Sequence, residues 1–172
     1  CRDEAHFEAA LFRGPFAGDM GIEVLLPDDY CLPGDDGLTL SLRVKPFEAP
    51  RKGYPVVLLA AGDLRLLLEG TARELKWVAE YPGIDGPQRL VLADGGALGR
   101  WTRLTLTIGG GTGEAALSLR RRTVRQLAEA DNSVVPARVC SLGIGAASGE
   151  DSNFIGLLDD PMLLIGCVKT LR

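Results

Sequence analysis

The sequence has little of what most hydrolytic enzymes use: one histidine, His6, and aromatic residues at only 6% of 172. A serine–histidine–aspartate triad needs a histidine near its nucleophile, and no serine lies in a G-x-S-x-G motif. An E-x-D-x-E run, which would place carboxylates on one face of a strand, is also absent. The Asp-Asp pairs at 28–29, 35–36 and 159–160 are adjacent residues, which point to opposite strand faces or lie in turns. We therefore expect a protein that is not an enzyme.

Long apolar runs and an excess of positive charge are absent as well. No stretch approaches the roughly 20 consecutive apolar residues of a membrane-spanning helix, so no transmembrane segment is expected. The net charge of −4 excludes bulk electrostatic attraction to nucleic acid. The length suits one domain with its own core, and we assign residues 1–172 to it. Because the sequence starts at Cys1 without a start methionine or signal peptide, we expect a mature chain or an excised domain.

The four cysteines, at positions 1, 31, 140 and 167, lie far apart and form no C-x-x-C pair. With His6 as the only imidazole, a zinc site is not expected. An even number of widely spaced cysteines favours two disulfide bonds and hence an oxidising, extracellular compartment. Two alternatives stay open: four buried free thiols in a cytosolic protein, or an acylated Cys1 at the start of a lipoprotein.

Short strands separated by glycine and proline run along the whole sequence. The segment LTLSLRVK alternates strictly, with the apolar residues from Leu38 to Val44 on one face and polar residues on the other, as in a half-buried strand. WTRLTLTI alternates in the same way, and EAALSLRRRTV follows it after a glycine-rich turn as a hairpin partner. Strands recur every ~8 to 14 residues without an amphipathic helix, which predicts an all-β sandwich or barrel.

Two segments narrow this prediction: GRWTRLTLTIGGGTGEAALSLRRRTV and CSLGIGAASGEDSNFIGLLDDPMLL. Their glycine-led tryptophan, their strand ending in Leu-Gly-Ile-Gly and their closing Phe-x-Gly-x-x-Asp-Asp strand resemble the laminin G-like and thrombospondin N-terminal-like modules of the concanavalin A-like superfamily. The resemblance implies an antiparallel β-sandwich of two sheets, a jelly roll. Thr102, where many such modules have histidine, and Pro161, inside the last strand, depart from the family pattern.

The resemblance also implies how the last strand is used. It would pair with the N-terminal strand at a sheet margin, with Phe154 anchored in the core and Gly156 where two backbones approach closely. Pro161 would shift the register, as at a bulge. We expect inward-facing side chains at Leu158, Met162 and Leu164, and surface positions for Asp159 and Asp160.

The same topology implies a disulfide pairing. Antiparallel partners have residue numbers with a constant sum, so a first strand opposite the last one would bring Cys1 to Cys167, with a sum of 168. The segment GIEVLL opposite CSLGIG would bring Cys31 to Cys140, with a sum of 171. A bond between Cys140 and Cys167 is disfavoured, because Cys140 would oppose about Leu158 across the final hairpin.

Modules of this family often bind one calcium ion at the sandwich rim, and the resemblance points to Asp63 as its first ligand. Asp131 is the nearest candidate for the second acidic ligand. Because two carboxylates supply too few oxygens for calcium, backbone carbonyls and water would complete the shell. The alternative is that Asp63 only hydrogen-bonds its own turn. No other cofactor is expected.

A basic run, RRRTVR, contains Arg120, Arg121, Arg122 and Arg125. Related modules hold sulfated glycans on such clusters, since guanidinium groups match the geometry of sulfate and carboxylate. We predict an acidic-ligand patch at these four arginines. The alternative is a solvated turn.

Sugar-binding sites usually stack an exposed aromatic ring on the sugar. Trp101 occupies the position of the family's core tryptophan, and Trp77 alternates with apolar residues, so both are expected in the core. Tyr54 and Tyr81 adjoin prolines, which makes them the candidates for exposed rings.

These expectations favour a non-catalytic, extracellular recognition or adhesion module, secreted or at the cell surface, that binds a partner protein or an acidic, sulfated glycan. Two alternatives stay open: a calcium-dependent, carbohydrate-binding lectin domain, and a structural domain that only packs against other subunits of a larger surface protein. No nucleic acid partner is expected.

Overall fold

The structure is a computed structural model that describes residues 10–13, 21–25, 37–51, 53–83, 86–94, 98–108, 114–119, 122–127, 139–146 and 154–165. These described residues form twelve strands and no helix. The strands are β1 (Ala10–Arg13), β2 (Ile22–Leu25), β3 (Leu38–Pro46), β4 (Val56–Ala61), β5 (Leu64–Thr71), β6 (Glu74–Gly83), β7 (Gly86–Asp94), β8 (Thr102–Ile108), β9 (Glu114–Leu119), β10 (Arg122–Leu127), β11 (Ser141–Ile144) and β12 (Ile155–Ile165).

The strands form two six-stranded antiparallel sheets. The first sheet has the order β1-β12-β3-β8-β9-β10, and the second has the order β2-β11-β4-β5-β6-β7. At one margin of the second sheet, β7 contacts β9 and β10 of the first. Buried residues of both sheets form one core cluster, so the sheets lie face to face, and the predicted all-β sandwich of two antiparallel sheets is confirmed.

Strict alternation along β3 decides which of its residues enter the core. Leu40, Leu42 and Val44 are fully buried, as the sequence predicted. Arg43 and Lys45, between and after them, lie on the outer face and are only partly buried. β8 alternates in the same way, and each large apolar side chain placed in the core contributes about 1.5–3 kcal/mol. Other members of the core are Leu66, Leu68, Leu75, Trp77, Tyr81, Leu90, Leu92, Leu104, Leu106, Ile108 and Leu117.

The first and last strands pair at one margin of the first sheet. β1 runs antiparallel to β12 with Ala10 opposite Leu158, so paired residue numbers sum to 168, as expected. β2 runs antiparallel to β11 with Leu25 opposite Ser141, which gives a sum of 166 rather than 171. The direction of the second pairing is confirmed, but its residue-number sum differs by five from the sum that would place Cys31 opposite Cys140.

β12 contains a bulge, as predicted from its proline, Pro161. The register of β12 with β3 shifts between Asp159 and Met162, and a proline is tolerated there because it has no N–H to donate to the ladder. The expectation that Met162 and Leu164 face inward is wrong. Leu163 packs against the core instead, since one extra residue inverts the alternation beyond the bulge.

The start of β12 agrees with the sequence prediction. Phe154 is buried in the core. A Cβ atom added to Gly156 would lie 2.4 Å from the carbonyl oxygen of Lys45 on β3 and 2.6 Å from Cζ of Phe154. The two strands can approach this closely only because residue 156 has no side chain.

Two of the four aromatic predictions are wrong. Trp77 is fully buried and Tyr54 is exposed, as expected. Tyr81 is buried as well, because β6 continues through it and places it on the same face as Trp77. Trp101 is half-buried and lies outside the core cluster. Its position on the outer side of the first sheet makes it part of the surface described next.

Candidate ligand-binding face

Two arginines lie directly opposite each other on the outer face of the first sheet. Arg43 on β3 and Arg103 on β8 are cross-strand partners on the two central strands. Directly opposite residues of an antiparallel pair have Cα atoms about 4.5–5.5 Å apart, and like charges at such positions destabilise the pair. Each arginine therefore needs a carboxylate close by.

Two consecutive residues of β12 supply these carboxylates. Arg43 Nη1 donates a hydrogen bond to Asp159 Oδ2 at 3.1 Å, and Arg103 Nη2 donates one to Asp160 Oδ2. Consecutive residues of a regular strand point to opposite faces of the sheet. A regular β12 would therefore have offered only one carboxylate to the two arginines.

The bulge in β12 brings both carboxylates to the same face. Asp160 and Pro161 together stand opposite a single residue of β3, Leu42. Asp160 has a left-handed φ of 52°, and it is the only non-glycine residue with a positive φ in the described part of the chain. Aspartate tolerates this conformation better than most residues. The prediction of surface positions for this pair is confirmed. The two carboxylates lie on the same face of the sheet and bind arginines of β3 and β8.

These residues belong to a surface that we call the arginine face, made of the outward-facing residues of β3, β8 and β12 around the Arg43–Arg103 pair. Along β3 and β8, the residues of this face alternate with the residues that point into the core. Its described members are Thr39, Ser41, Arg43 and Lys45 from β3, Trp101 just before β8, Arg103, Thr105 and Thr107 from β8, and Leu157, Asp159, Asp160, Met162 and Leu164 from β12.

Two aromatic rings lie beside the cations of the arginine face. Cζ of Arg43 is 5.0 Å from the ring centroid of Trp101, and Nζ of Lys45 is 5.8 Å from that of Phe47. Both distances are within the range of a cation–π interaction. An aspartate and an indole therefore hold the guanidinium of Arg43 from two sides and reduce its conformational freedom before a ligand arrives. A guanidinium has five N–H donors, and the ion pair uses one terminal nitrogen.

Small hydroxyl residues form the floor of the arginine face along β3 and β8. Thr39 and Ser41 are buried by their neighbours. Ser41 Oγ lies 3.1 Å from the carbonyl oxygen of Leu104, to which it donates, and 3.0 Å from Oγ1 of Thr105. These hydrogen bonds join β3 to β8 on the outer side of the sheet.

The outer face of the second sheet is built differently. Arg89 on β7 binds Glu80 of β6 at 3.1 Å and also Glu69 of β5, so its side chain crosses β6. Leu67 and Val78 lie beside that path and are buried, although they are outside the core cluster. On the second sheet the ion pairs cover apolar residues. On the arginine face the ion-paired arginines are next to small hydroxyl residues, Ser41 on β3 and Thr105 on β8.

Asp63, the predicted calcium ligand, lies exposed in the two-residue turn between β4 and β5. Gly62 precedes it with a φ of 59°, as the first central residue of a type II′ hairpin turn requires. Asp131, the predicted second ligand, is outside the described residues. Within the described ranges, no three histidine, cysteine or acidic side chains are grouped so that they could hold a metal ion. The calcium site stays a prediction.

The predicted basic patch spans two strands and the residues between them. Arg122 and Arg125 belong to β10 and lie opposite Leu119 and Ala116 of β9. Arg120 and Arg121, between the two strands, are outside the described residues. The segment EAALSLRRRTV, expected as one strand, is two strands because the chain turns back after β9. β10 lies at a margin of the sheet that carries the arginine face, and the patch itself stays a prediction.

Cys140, immediately before β11, is disulfide-bonded. The other three cysteines, Cys1, Cys31 and Cys167, are outside the described residues, so the identity of its partner stays a prediction.

The sequence did not predict the arginine face as a whole, although it did indicate some of the residues that form it. Alternation alone places Arg43 and Arg103 on the polar faces of their strands. The Asp-Asp pair next to a proline was the remaining signal, since a bulge permits two consecutive side chains to share a face. The register that makes the two arginines partners has no local signal.

The described residues contain no helix with the length and hydropathy needed to cross a membrane. No family model matches the chain, and no curated protein matches it. Solved structures do match it over most of its length.

Three of these structures illustrate the likeness. The CBM40 domain of an IT-sialidase from Ruminococcus gnavus, bound to α2,3-sialyllactose, is 14% identical with a TM-score of 0.66 and covers 97% of this chain and 94% of that one. A heptameric SAP-like pentraxin from Limulus polyphemus is 15% identical with a TM-score of 0.61, over 90% of this chain and 74% of that one. Domains LG4-5 of the mouse laminin α1 chain are 14% identical with a TM-score of 0.54, over 92% and 41%.

At these identities the likeness concerns the fold. The matched structures include binding domains and also the enzymatically active domain of a bacteriophage tailspike, so the fold does not decide between binding and catalysis. The chain has the concanavalin A-like jelly-roll fold that the pentraxin, laminin G and CBM40 domains share.

Proposed function

We propose that this protein is a non-catalytic, extracellular binding module that recognises an anionic glycan on the arginine face. The observation that carries the proposal is the cross-strand pair of Arg43 and Arg103, each held by an aspartate of β12. Each guanidinium is planar and carries several N–H donors, which match the oxygen atoms of a carboxylate or a sulfate. A glycan that carries either group is the ligand that fits these donors.

The aromatic residues next to the arginine pair support a sugar as the carrier of the charge. Trp101 is half-buried beside Arg43, and Phe47 is exposed beside Lys45. Aromatic side chains that combine an apolar face with a wet edge are typical of binding surfaces. The CBM40 domain with the same fold is bound to a sialylated sugar, which supports an anionic glycan here.

Two observations favour a binding role outside the cell. A glycosidase needs one carboxyl group that serves as a general acid, whereas both aspartates of the arginine face are ion-paired with arginines. The disulfide bond at Cys140 supports an oxidising compartment. A glycan-binding module on a secreted or surface protein agrees with both.

A glycan array followed by titration calorimetry tests this function. The array carries carboxylated, sulfated and neutral glycans and is read with calcium and with EDTA. We expect anionic glycans to bind, and Arg43→Ala to weaken the binding at least tenfold, or about 1.4 kcal/mol. Arg89→Ala is the matched control, because it removes an ion-paired arginine of similar exposure from the other sheet.

The array also separates the alternatives. Binding of neutral sugars that EDTA abolishes would replace the proposal with a calcium-dependent lectin. Silence on the array would reject glycan binding in favour of protein recognition or a structural role. Equal losses in Arg43→Ala and Arg89→Ala would reject the arginine face as the binding surface.

A further inference from the structure

We infer that Asp159 and Asp160 make the arginine face selective for a glycan with a single carboxylate at the site, and selective against polysulfated chains. The inference rests on the proposed function, and it names the ligand class and the two residues that set it.

The first observation is the charge of the face. Its described side chains carry three cations, Arg43, Lys45 and Arg103, and two anions, Asp159 and Asp160. One positive charge is therefore in excess, which matches a ligand with one negative charge. A surface for polyanions gains its affinity from many uncompensated cations that attract the chain and release its counterions. The two aspartates remove most of that attraction.

The second observation is the exposure of the two ion pairs. The side chains of Arg43 and Arg103 are 42% and 45% exposed, whereas those of their partners Asp159 and Asp160 are 20% and 29% exposed. A ligand that approaches from solvent therefore meets the guanidinium groups first. At contact distance it finds N–H donors, whereas the two aspartates offset most of the attraction that the three cations of the face exert at a longer distance. Such a surface recognises an anion by hydrogen-bond geometry more than by long-range charge.

The third observation is the backbone at Asp160. A left-handed φ costs a residue with a side chain about 1–2 kcal/mol, and Asp160 adopts it at 52°. The consequence of this conformation is a second carboxylate on the face. Without the Asp160 carboxylate, Arg103 would be uncompensated, and the face would carry an excess of two positive charges instead of one. The strained residue therefore lowers the net charge of the site, which is the feature that decides between a single carboxylate and a polysulfate.

The test uses the double variant Asp159→Asn/Asp160→Asn, which raises the excess positive charge of the described face from one to three. Asparagine tolerates a left-handed φ, so the bulge is retained. The charge-matched control is Glu69→Gln/Glu80→Gln, which removes two negative charges from the outer face of the second sheet. Thermal unfolding of each variant checks that it folds.

Three probes are titrated at 50, 150 and 300 mM salt: α2,3-sialyllactose with one carboxylate, a heparin hexasaccharide with many sulfates, and neutral lactose. We expect the parent to bind sialyllactose with a weak salt dependence and to prefer it to heparin. The double Asn variant is expected to gain at least tenfold in heparin affinity, with a steeper salt dependence. The control variant is expected to change its heparin affinity less than threefold.

Each outcome supports or overturns the inference. If the parent binds heparin at least as tightly as sialyllactose at 150 mM salt, the selectivity is refuted while anionic glycan binding stands. The same holds if the double Asn variant keeps the parent's ratio of affinities, or if the control gains as much as the double variant. If the parent binds neither anionic probe better than lactose, the proposed function itself fails.

Discussion

Arg43 and Arg103 are direct cross-strand partners, and each guanidinium is bound by its own carboxylate from β12. Unpaired like charges at such positions would destabilise the centre of the sheet, by an amount on the order of the 0.2–1 kcal/mol typical of cross-strand pairs. Both carboxylates reach this face only because Asp160 takes a left-handed conformation. The left-handed conformation of one residue of β12 therefore places a carboxylate that reduces the charge repulsion between two other strands.

Substitution of Asp160 measures that backbone cost. Asp160→Ala and Asp160→Gly remove the same carboxylate, so the difference between them reports the backbone. A left-handed φ costs alanine about 1–2 kcal/mol and glycine almost nothing, although the freedom of glycine in the unfolded chain offsets part of its advantage. We expect Asp160→Ala to be about 1 kcal/mol less stable than Asp160→Gly in urea unfolding. Equal stability of the two variants would contradict a left-handed residue at this position.

Gly156 makes a second prediction about β12. In Gly156→Ala the new Cβ would lie 2.4 Å from a backbone oxygen of β3 and 2.6 Å from the ring of Phe154, so β12 and β3 must move apart. Overpacking of this kind costs about 1–3 kcal/mol, and we expect about 2 kcal/mol by thermal or urea unfolding. Gly53→Ala is a comparison for backbone strain without a clash, because it has a positive φ but no atom within 4 Å of the added Cβ. An unchanged stability of Gly156→Ala relative to the parent would show that the close approach is not there.

The inner and outer faces of single strands were predictable from the sequence, because alternation is a property of one strand. β3 shows this: the apolar residues from Leu38 to Val44 are buried, whereas the basic residues Arg43 and Lys45 on its other face are only partly buried. Tyr81 was misassigned because the proline after it suggested a loop. The tyrosine nevertheless keeps the spacing of Trp77 on β6, and the strand continues through the proline.

The arginine face depended on relations between strands that are distant in the sequence. Arg43 is 116 residues from Asp159, and Arg103 is 57 residues from Asp160. Register between such strands is set by the packing of the whole sandwich, and no local pattern records it. The bulge was a second reason why the sequence did not predict this face. It inverts the alternation within β12, so Leu163 packs against the core and its neighbours Met162 and Leu164 do not.

The register of the first and last strands supports one predicted disulfide bond. Residue numbers of β1 and β12 partners sum to 168, which is also the sum for Cys1 and Cys167. We expect peptide mapping without reduction to recover Cys1 linked to Cys167 and, since Cys140 is disulfide-bonded, Cys31 linked to Cys140. Each bond closes a long loop, so its removal should cost up to about 4–5 kcal/mol. A peptide that links Cys1 to Cys31, or Cys140 to Cys167, would refute this pairing.

Tyr81 predicts how the stability of the protein changes at high pH. Burial raises the pKa of the Tyr81 hydroxyl above its usual value of 10.0, because the phenolate is poorly solvated in the core. Above pH 10 the unfolded chain therefore loses a proton that the folded chain retains, and the free energy of unfolding falls as pH rises. The contribution of Tyr81 is complete below about pH 10 and is lost as pH rises through the pKa of the folded state. We expect Tyr81→Phe to flatten the decline of stability above pH 10 in urea unfolding, more than the exposed-ring variant Tyr54→Phe does. Parallel pH profiles for the parent and Tyr81→Phe would show that this hydroxyl does not control the alkaline decline.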